Sequence, residues 1–233
     1  MLQALFKEPS LLRSDADRDM KYEIPKDYKI AKTSYYIPVS HSETPDAGRV
    51  FPLFFIKGEE DFLLIALMGL KEGQNLFVNN LGRWKEHTYI PSLLRAYPFA
   101  VSRLDDKTNA IVYDKGYKGF NTKEGERIFD DKGNMSDLGK AINEYVSKTF
   151  TAFEATKNPV KVIADMKLFK PATIDIAAGE EKIRLQGIYQ VDMPKLNTLT
   201  DEELLLLAKS GALHLIYTHA NSLTNLRILA DML

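Results

Sequence analysis

The stretch Val50-Phe-Pro-Leu-Phe-Phe-Ile-Lys57, Gly58-Glu-Glu-Asp61, Phe62-Leu-Leu-Ile-Ala-Leu-Met-Gly69 decides the fold. Two apolar runs flank four polar residues led by a glycine, which is the pattern of a β-hairpin. Alternating polarity would leave one face of such a hairpin in water. Here nearly every position is apolar, so both faces must be covered, and the hairpin is read as the centre of a sheet. The run from Phe62 to Leu70 is about half the length a membrane helix needs and contains Gly69, so it reads as a core element and not an anchor.

Toward the N-terminus, Pro45, Asp46 and Gly48 make a turn, and Tyr35 to Val39 alternates weakly and meets Pro38, as an edge strand does. Residues 1–33 are polar, carry both charge signs and show no sustained period. They are read as an N-terminal arm with at most one short helix near Pro9 to Leu12, and residues 34–233 as a single domain.

Toward the C-terminus, Leu76 to Val78 reads as a short strand closed by Asn79, Asn80 and Gly82. Pro91 suits the first turn of a helix reaching Ala96, which Pro98 stops. Phe99 to Leu104 and Ala110 to Asp114 flank Asp105 to Asn109 as a further hairpin. The stretch from Lys115 to Gly133 is an irregular loop with a small strand at Arg127 to Phe129.

Ser136 caps a long helix whose core-facing positions Leu138, Ile142, Tyr145, Val146, Thr149, Phe150 and Phe153 recur at steps of three and four. Asn158-Pro159 is read as the restart of a second helix, ended by Lys170-Pro171. Thr173 to Ala177 and Lys182 to Val191 form another hairpin. Thr200-Asp-Glu-Glu203 is a capping box, with Leu199 and Leu204 placed for the hydrophobic staple. Gly211 ends that helix, and Leu213 to His219 and Ser222 to Met232 finish the chain as helices. The fold class is therefore α+β: an antiparallel or mixed sheet with helices packed on it and a helical C-terminus, barrel-like closure of the early strands being the variant.

Composition narrows the function. With 45% hydrophobic and 27% charged residues in 233, the chain can bury a substantial core. A formal net charge of -1 with both signs interleaved offers no basic face, so nucleic acid is not the expected partner. The absence of Cys removes disulfides, thiolate catalysis and Cys-ligated metals. The first residues, Met-Leu-Gln-Ala-Leu-Phe-Lys, have too short an apolar run for a signal peptide, so a cytoplasmic location without membrane insertion is expected.

A group of segments carries a family resemblance. In order they are Asp27-Tyr-Lys-Ile-Ala31, Phe51-Pro-Leu-Phe-Phe55 with Phe62 to Leu70, and the aromatic block Asn75-Leu-Phe-Val78, Gly82-Arg-Trp84, Tyr89-Ile-Pro91 and Arg95-Ala-Tyr97-Pro-Phe99. Gly187-Ile-Tyr189-Gln-Val191-Asp192 and Ser210-Gly211 through Ile216-Tyr217 to His219 follow. With these the chain resembles the SapC family, named for surface-array (S-layer) loci of bacteria. The resemblance implies a bacterial context and a role in surface-protein production or polypeptide handling; it carries no catalytic residues.

Three candidate sites emerge from the residues. Trp84, Tyr89, Arg95, Tyr97 and Phe99 could line a groove in which rings supply area and Arg grips a carboxylate or peptide carbonyl, although rings equally pack cores. Tyr217, His219 and Asn225, with Asn221, form the densest polar cluster in an apolar region; the plain alternative is a His bonded to backbone at the edge of the core. His41 and Glu43 have the spacing of two ligands of a non-haem iron triad, with His87, His214 or His219 as a third, and equally occur together by chance. His214 and His219 are about 140° apart on a helix and do not chelate one ion from it.

Catalytic templates fare poorly. No Gly-x-Ser-x-Gly elbow is present, Gly116, Gly119, Gly125 and Gly133 lack the spacing of a phosphate cradle, and the pairs Asp105-Asp106 and Asp130-Asp131 sit in polar turns. The expected function is a non-catalytic accessory protein, without cofactor, that binds a polypeptide partner through Trp84, Tyr89, Arg95, Tyr97, Tyr217, His219 and Asn225. The alternative is an oxygenase-like, metal-dependent modifier of peptides using iron or another divalent metal at His41 and Glu43. A self-associating structural protein is a third reading.

Overall fold

The computed structural model describes residues 5–58, 61–105, 108–121 and 123–233. The turn read at Gly58 to Asp61 includes Glu59 and Glu60, the pair Asp105-Asp106 includes Asp106, and the N-terminal run includes residues 1–4; these lie outside the described residues. The chain divides into two compact units, one built from residues 1–30 and 92–151 and the other from residues 31–91 and 152–233. Both are α+β.

In the first unit, β1 (Pro9–Leu11), β6 (Phe99–Arg103) and β7 (Asn109–Asp114) form an antiparallel sheet in the order β1-β7-β6. The register sets Pro9 opposite Asp114 and Phe99 opposite Tyr113. A second small sheet has β2 (Lys21–Tyr22) between β8 (Phe120–Asn121) and β9 (Glu126–Arg127). The short helix expected near Pro9 to Leu12 is thus corrected to a strand. Pro9 is a good first residue of a strand because its missing N–H is not needed there.

The core of this unit gathers Tyr22, Phe99, Tyr113, Ile128, Phe129 and Val146, with α2 (Ser92–Ala96) contributing Ala96. Tyr22 meets Phe99 edge to face with ring centroids 4.9 Å apart. Residues of the N-terminal stretch supply β1, β2 and Tyr22 of this packed group, with Leu12 and Met20 packed against it.

In the second unit, five strands pair in the order β10-β11-β4-β5-β3, all antiparallel. Here β3 is Tyr36–Pro38, β4 Leu53–Lys57, β5 Phe62–Leu67, β10 Phe169–Ala178 and β11 Glu181–Val191. The β4–β5 hairpin occupies the centre, as its continuous apolar runs require. Leu53, Phe54 and Phe55 are fully buried, each side chain contributing about 1.5–3 kcal/mol of transfer free energy. The sheet is open, with β3 and β10 as its edges, so the barrel-like variant is set aside. Pro38 and Pro171 both lie on those edge strands, where no ladder bond is lost. Lys170-Pro171 therefore sits inside a strand, and only the bridge Val78–Trp84 stands where a strand at Leu76 to Val78 was expected.

Helices α4 (Met193–Leu196), α5 (Asp201–Lys209), α6 (Ala212–Ser222) and α7 (Asn225–Asp231) follow the sheet, α6 and α7 packing on its strands and α5 on α6, after a short α1 (Thr44–Ala47) early in the unit that also meets α6. The capping box at Thr200 forms as read, with Glu203 N–H donating to the Thr200 hydroxyl. Gly211 has φ 78°, a left-handed conformation that only glycine adopts without strain, and joins α5 to α6. The helix α3 (Asp137–Asp165) begins in the first unit and ends in the second. It runs through Pro159 without the expected restart. The carbonyl that Pro159 leaves unbonded belongs to Ala155, which is exposed to water, while Thr156, Val160 and Ile163 are buried and hold the helix together.

Candidate functional site: a tyrosine-walled cleft in the first unit

A fully buried carboxylate organises one end of the first unit. Asp114 ends β7 with no exposed surface, and no cation pairs with it among the described residues. Its Oδ1 accepts the backbone N–H groups of Glu8 (2.8 Å) and Gly116 (3.0 Å), and its Oδ2 accepts the Tyr97 hydroxyl (2.8 Å). Burial alone would push the carboxyl pKa up. The N–H of Glu8, the hydroxyl of Tyr97 and the N–H groups of Lys7 and Gly116 outweigh burial and hold the group below the usual carboxylate value. Asp114 thus ties the N-terminal segment, the turn after β7 and Tyr97 to one point. Tyr97 responds in the opposite sense: burial first, then its bond to Asp114, raise its pKa.

The turn that Asp114 anchors is Lys115-Gly116-Tyr117-Lys118-Gly119. Tyr117 N–H donates to the Asp114 carbonyl at 3.0 Å, and the Tyr117 hydroxyl donates to the Glu23 carbonyl at 2.8 Å. A Cβ at Gly119 would overlap the Tyr117 ring, so glycine there lets the ring fold back over the turn. Tyr97 and Tyr117 meet edge to face at 5.8 Å.

These two rings line a cleft of about 610 Å³ together with residues of the segment from Glu23 to Ile30. Ile24, on that segment, is 70% exposed. Lys26 pairs with Glu23 at 3.6 Å and Lys29 with Asp27 at 3.1 Å. Lys7 and Lys118 also line the cleft and have no ion-pair partner among the described residues. The result is a cleft lined by two aromatic rings, an exposed Ile and four lysines against two carboxylates.

Of the candidate binding and metal residues drawn from the sequence, Tyr97 alone lines this cleft. Phe99 is 2% exposed in the first unit's core, and Arg95, on α2, places its guanidinium over the Tyr145 ring at 5.8 Å. Trp84 and Tyr89 belong to the second unit. Trp84 is buried, stacked on Phe77 with ring centroids 5.9 Å apart and edge-on to Phe51.

Tyr89 meets Glu43. Its hydroxyl donates to Glu43 Oε1 at 2.9 Å, while Glu43 Oε2 accepts the Ser40 N–H (3.0 Å) and hydroxyl (2.9 Å). This is a capping box on the single turn His41–Glu43. The His41 N–H donates to the Thr156 hydroxyl at 2.9 Å. Burial, and then the neighbouring charge of His214, lower the His41 pKa. Among the described residues no three His, Asp or Glu side chains converge in a metal-holding group.

His219 is 1% exposed and bonds backbone on both sides: its Nδ1 lies 2.7 Å from the Leu53 carbonyl and its Nε2 accepts the Val191 N–H at 3.2 Å. Asn225 donates to the Gly48 carbonyl at 2.8 Å, and Tyr217 is half exposed on α6. His87 is exposed in a loop with φ 58°.

The cleft residues Lys7, Tyr117 and Lys118, and the buried Asp114 that anchors the turn, escape sequence reasoning. The available signal was an Asp closing an apolar strand directly before a Lys-Gly-Tyr-Lys-Gly turn.

The chain matches the SapC family model over residues 12–229. It belongs to the SapC family. The match extends across both units, so this SapC protein is defined by the whole assembly of strands and helices and not by the aromatic block alone. No curated protein and no solved structure matches it. Among the described residues, no helix of the SapC chain is long and apolar enough to cross a membrane.

Proposed function

We propose that this SapC protein is a non-catalytic accessory protein of the bacterial cytoplasm that holds a polypeptide on its way into a surface-protein (S-layer) pathway. The observation that carries the reading is the cleft between Tyr97–Tyr117 and Glu23–Ile30. Rings at its wall supply apolar area at low conformational cost, and the exposed Ile24 at its margin adds a contact that solvent disfavours. The surface-protein pathway comes from the family resemblance.

The test is a calorimetric titration of the full chain with casein, an unfolded polypeptide of mixed composition. Binding that weakens severalfold in Ile24→Ser, a change at a mostly exposed position that leaves folding intact, supports the reading. Absence of binding, or binding indifferent to Ile24→Ser, contradicts it.

A further inference from the structure

We propose that the first-unit cleft selects acidic polypeptide segments, with Lys7 and Lys118 as the charges that read them. This deepens the proposed function and rests on it.

Four lysines face the cleft against two carboxylates. Lys26 and Lys29 already have partners in Glu23 and Asp27. Lys7 and Lys118 are exposed and enter no ion pair among the described residues. They flank the same turn. Lys7 precedes the Glu8 N–H that bonds Asp114, and a Cβ at Gly116 would lie 3.1 Å from the Lys7 Cβ, so the Lys7 stem runs beside the turn that carries Lys118.

The carboxylates lining the cleft, Glu23 and Asp27, pair with Lys26 and Lys29, and Asp114 lies buried with its Oδ2 on the Tyr97 hydroxyl. That carboxylate keeps its charge but spends its lone pairs on N–H and O–H donors inside the protein, so Lys7 and Lys118 are the cleft lysines outside any ion pair among the described residues. An ammonium on a flexible stem suits a carboxylate whose position varies along a chain, whereas aromatic walls suit the apolar residues between. The occupant that satisfies both is an acidic polypeptide segment with interspersed apolar side chains. A free anion would use the lysines and leave the rings idle.

The experiment measures fluorescence anisotropy of a labelled Glu/Tyr/Ser peptide and of its Gln/Tyr/Ser counterpart added to the full chain. The acidic peptide is expected to bind about tenfold more tightly, an advantage lost in Lys7→Ala/Lys118→Ala and eroded as salt rises from about 0.05 M to about 0.5 M. Lys182→Ala/Lys209→Ala, which removes the same charge from exposed positions of the second unit, is expected to leave the advantage intact. Equal binding of both peptides, or equal losses in the two double variants, overturns the charge selection while leaving the polypeptide reading standing. Failure of both peptides alongside binding of inorganic phosphate or of phosphatidylglycerol vesicles overturns the proposal and the polypeptide reading together.

Discussion

The imidazole of His219 lies with Nδ1 2.7 Å from the carbonyl oxygen of Leu53, a bond that stands in for a missing rung of the central sheet. Strands β11 and β4 pair at Tyr189 and Phe55, and two residues further along each strand Val191 would face Leu53. That rung is replaced by side chains of α6. Val191 N–H donates to His219 Nε2, His219 Nδ1–H donates to the Leu53 carbonyl, and Leu53 N–H donates to the Ser222 hydroxyl. The helix is thereby stitched into the opening between two strands, and the Val191 N–H, the Leu53 carbonyl and the Leu53 N–H each keep a partner.

This arrangement requires neutral imidazole, since Nε2 must accept. Burial lowers the His219 pKa from 6.5 to about 4, against the bond to Leu53, which favours the charged form. Between these values the unfolded chain binds more protons than the folded one, so stability rises with pH through that window and falls as pH drops. The loss from this residue alone is about 3 kcal/mol on going from about pH 7 to about pH 4. Urea titrations across that range are expected to show the loss. His219→Gln, which can donate and accept but does not titrate, should flatten it at a modest fixed cost, whereas His219→Ala should cost about 2–4 kcal/mol at pH 7.

Asp114→Asn tests the anchor of the cleft. The amide would turn a donor toward groups that are themselves donors, so a loss of about 2–4 kcal/mol is expected in denaturant titration. Tyr97→Phe removes one donor of the set and should cost about 1 kcal/mol. In a double-mutant cycle the two changes should be non-additive, because they act on one hydrogen bond.

Gly119→Ala should displace the Tyr117 ring, because the added methyl occupies the ring's place. The expected signature is a stability loss of about 1–3 kcal/mol with weakened peptide binding, while the His219-dependent pH profile of the second unit stays unchanged.

The single Trp, Trp84, is packed on Phe51 and Phe77, so its emission should be blue-shifted and poorly quenched by acrylamide. Casein or acidic peptide should leave that emission unaltered, since both are assigned to the other unit. A ligand-dependent shift would move the binding surface toward Trp84 and Tyr89.

Much of the fold was legible because its signals are local. The continuous apolar runs of β4 and β5 required a central hairpin, Thr200 and Glu203 announced α5, and Pro38 marked an edge. Pro159 misled because the cost of proline in a helix can be outweighed by burial of neighbours on both sides, which no local rule sees. The candidate site was mostly illegible for the same reason. Tyr97 stood out as an aromatic in a distinctive block, but its partner Asp114 and the charges Lys7 and Lys118 are distant in sequence and unremarkable in type. His41 and Glu43 suggested ligands by spacing, whereas Glu43 caps a turn and bonds Tyr89. His219 looked chemical by isolation, and its two nitrogens serve the backbone.

Hydrogen exchange read by mass spectrometry on the full chain, with and without the acidic peptide, tests the central claim most directly. Binding in the cleft should slow exchange in residues 23–30 and 115–120 and leave the five-stranded sheet around Leu53 and Val191 unchanged. Protection confined to other segments, or none at peptide saturation, would contradict the assignment of the cleft as the place where a polypeptide is held.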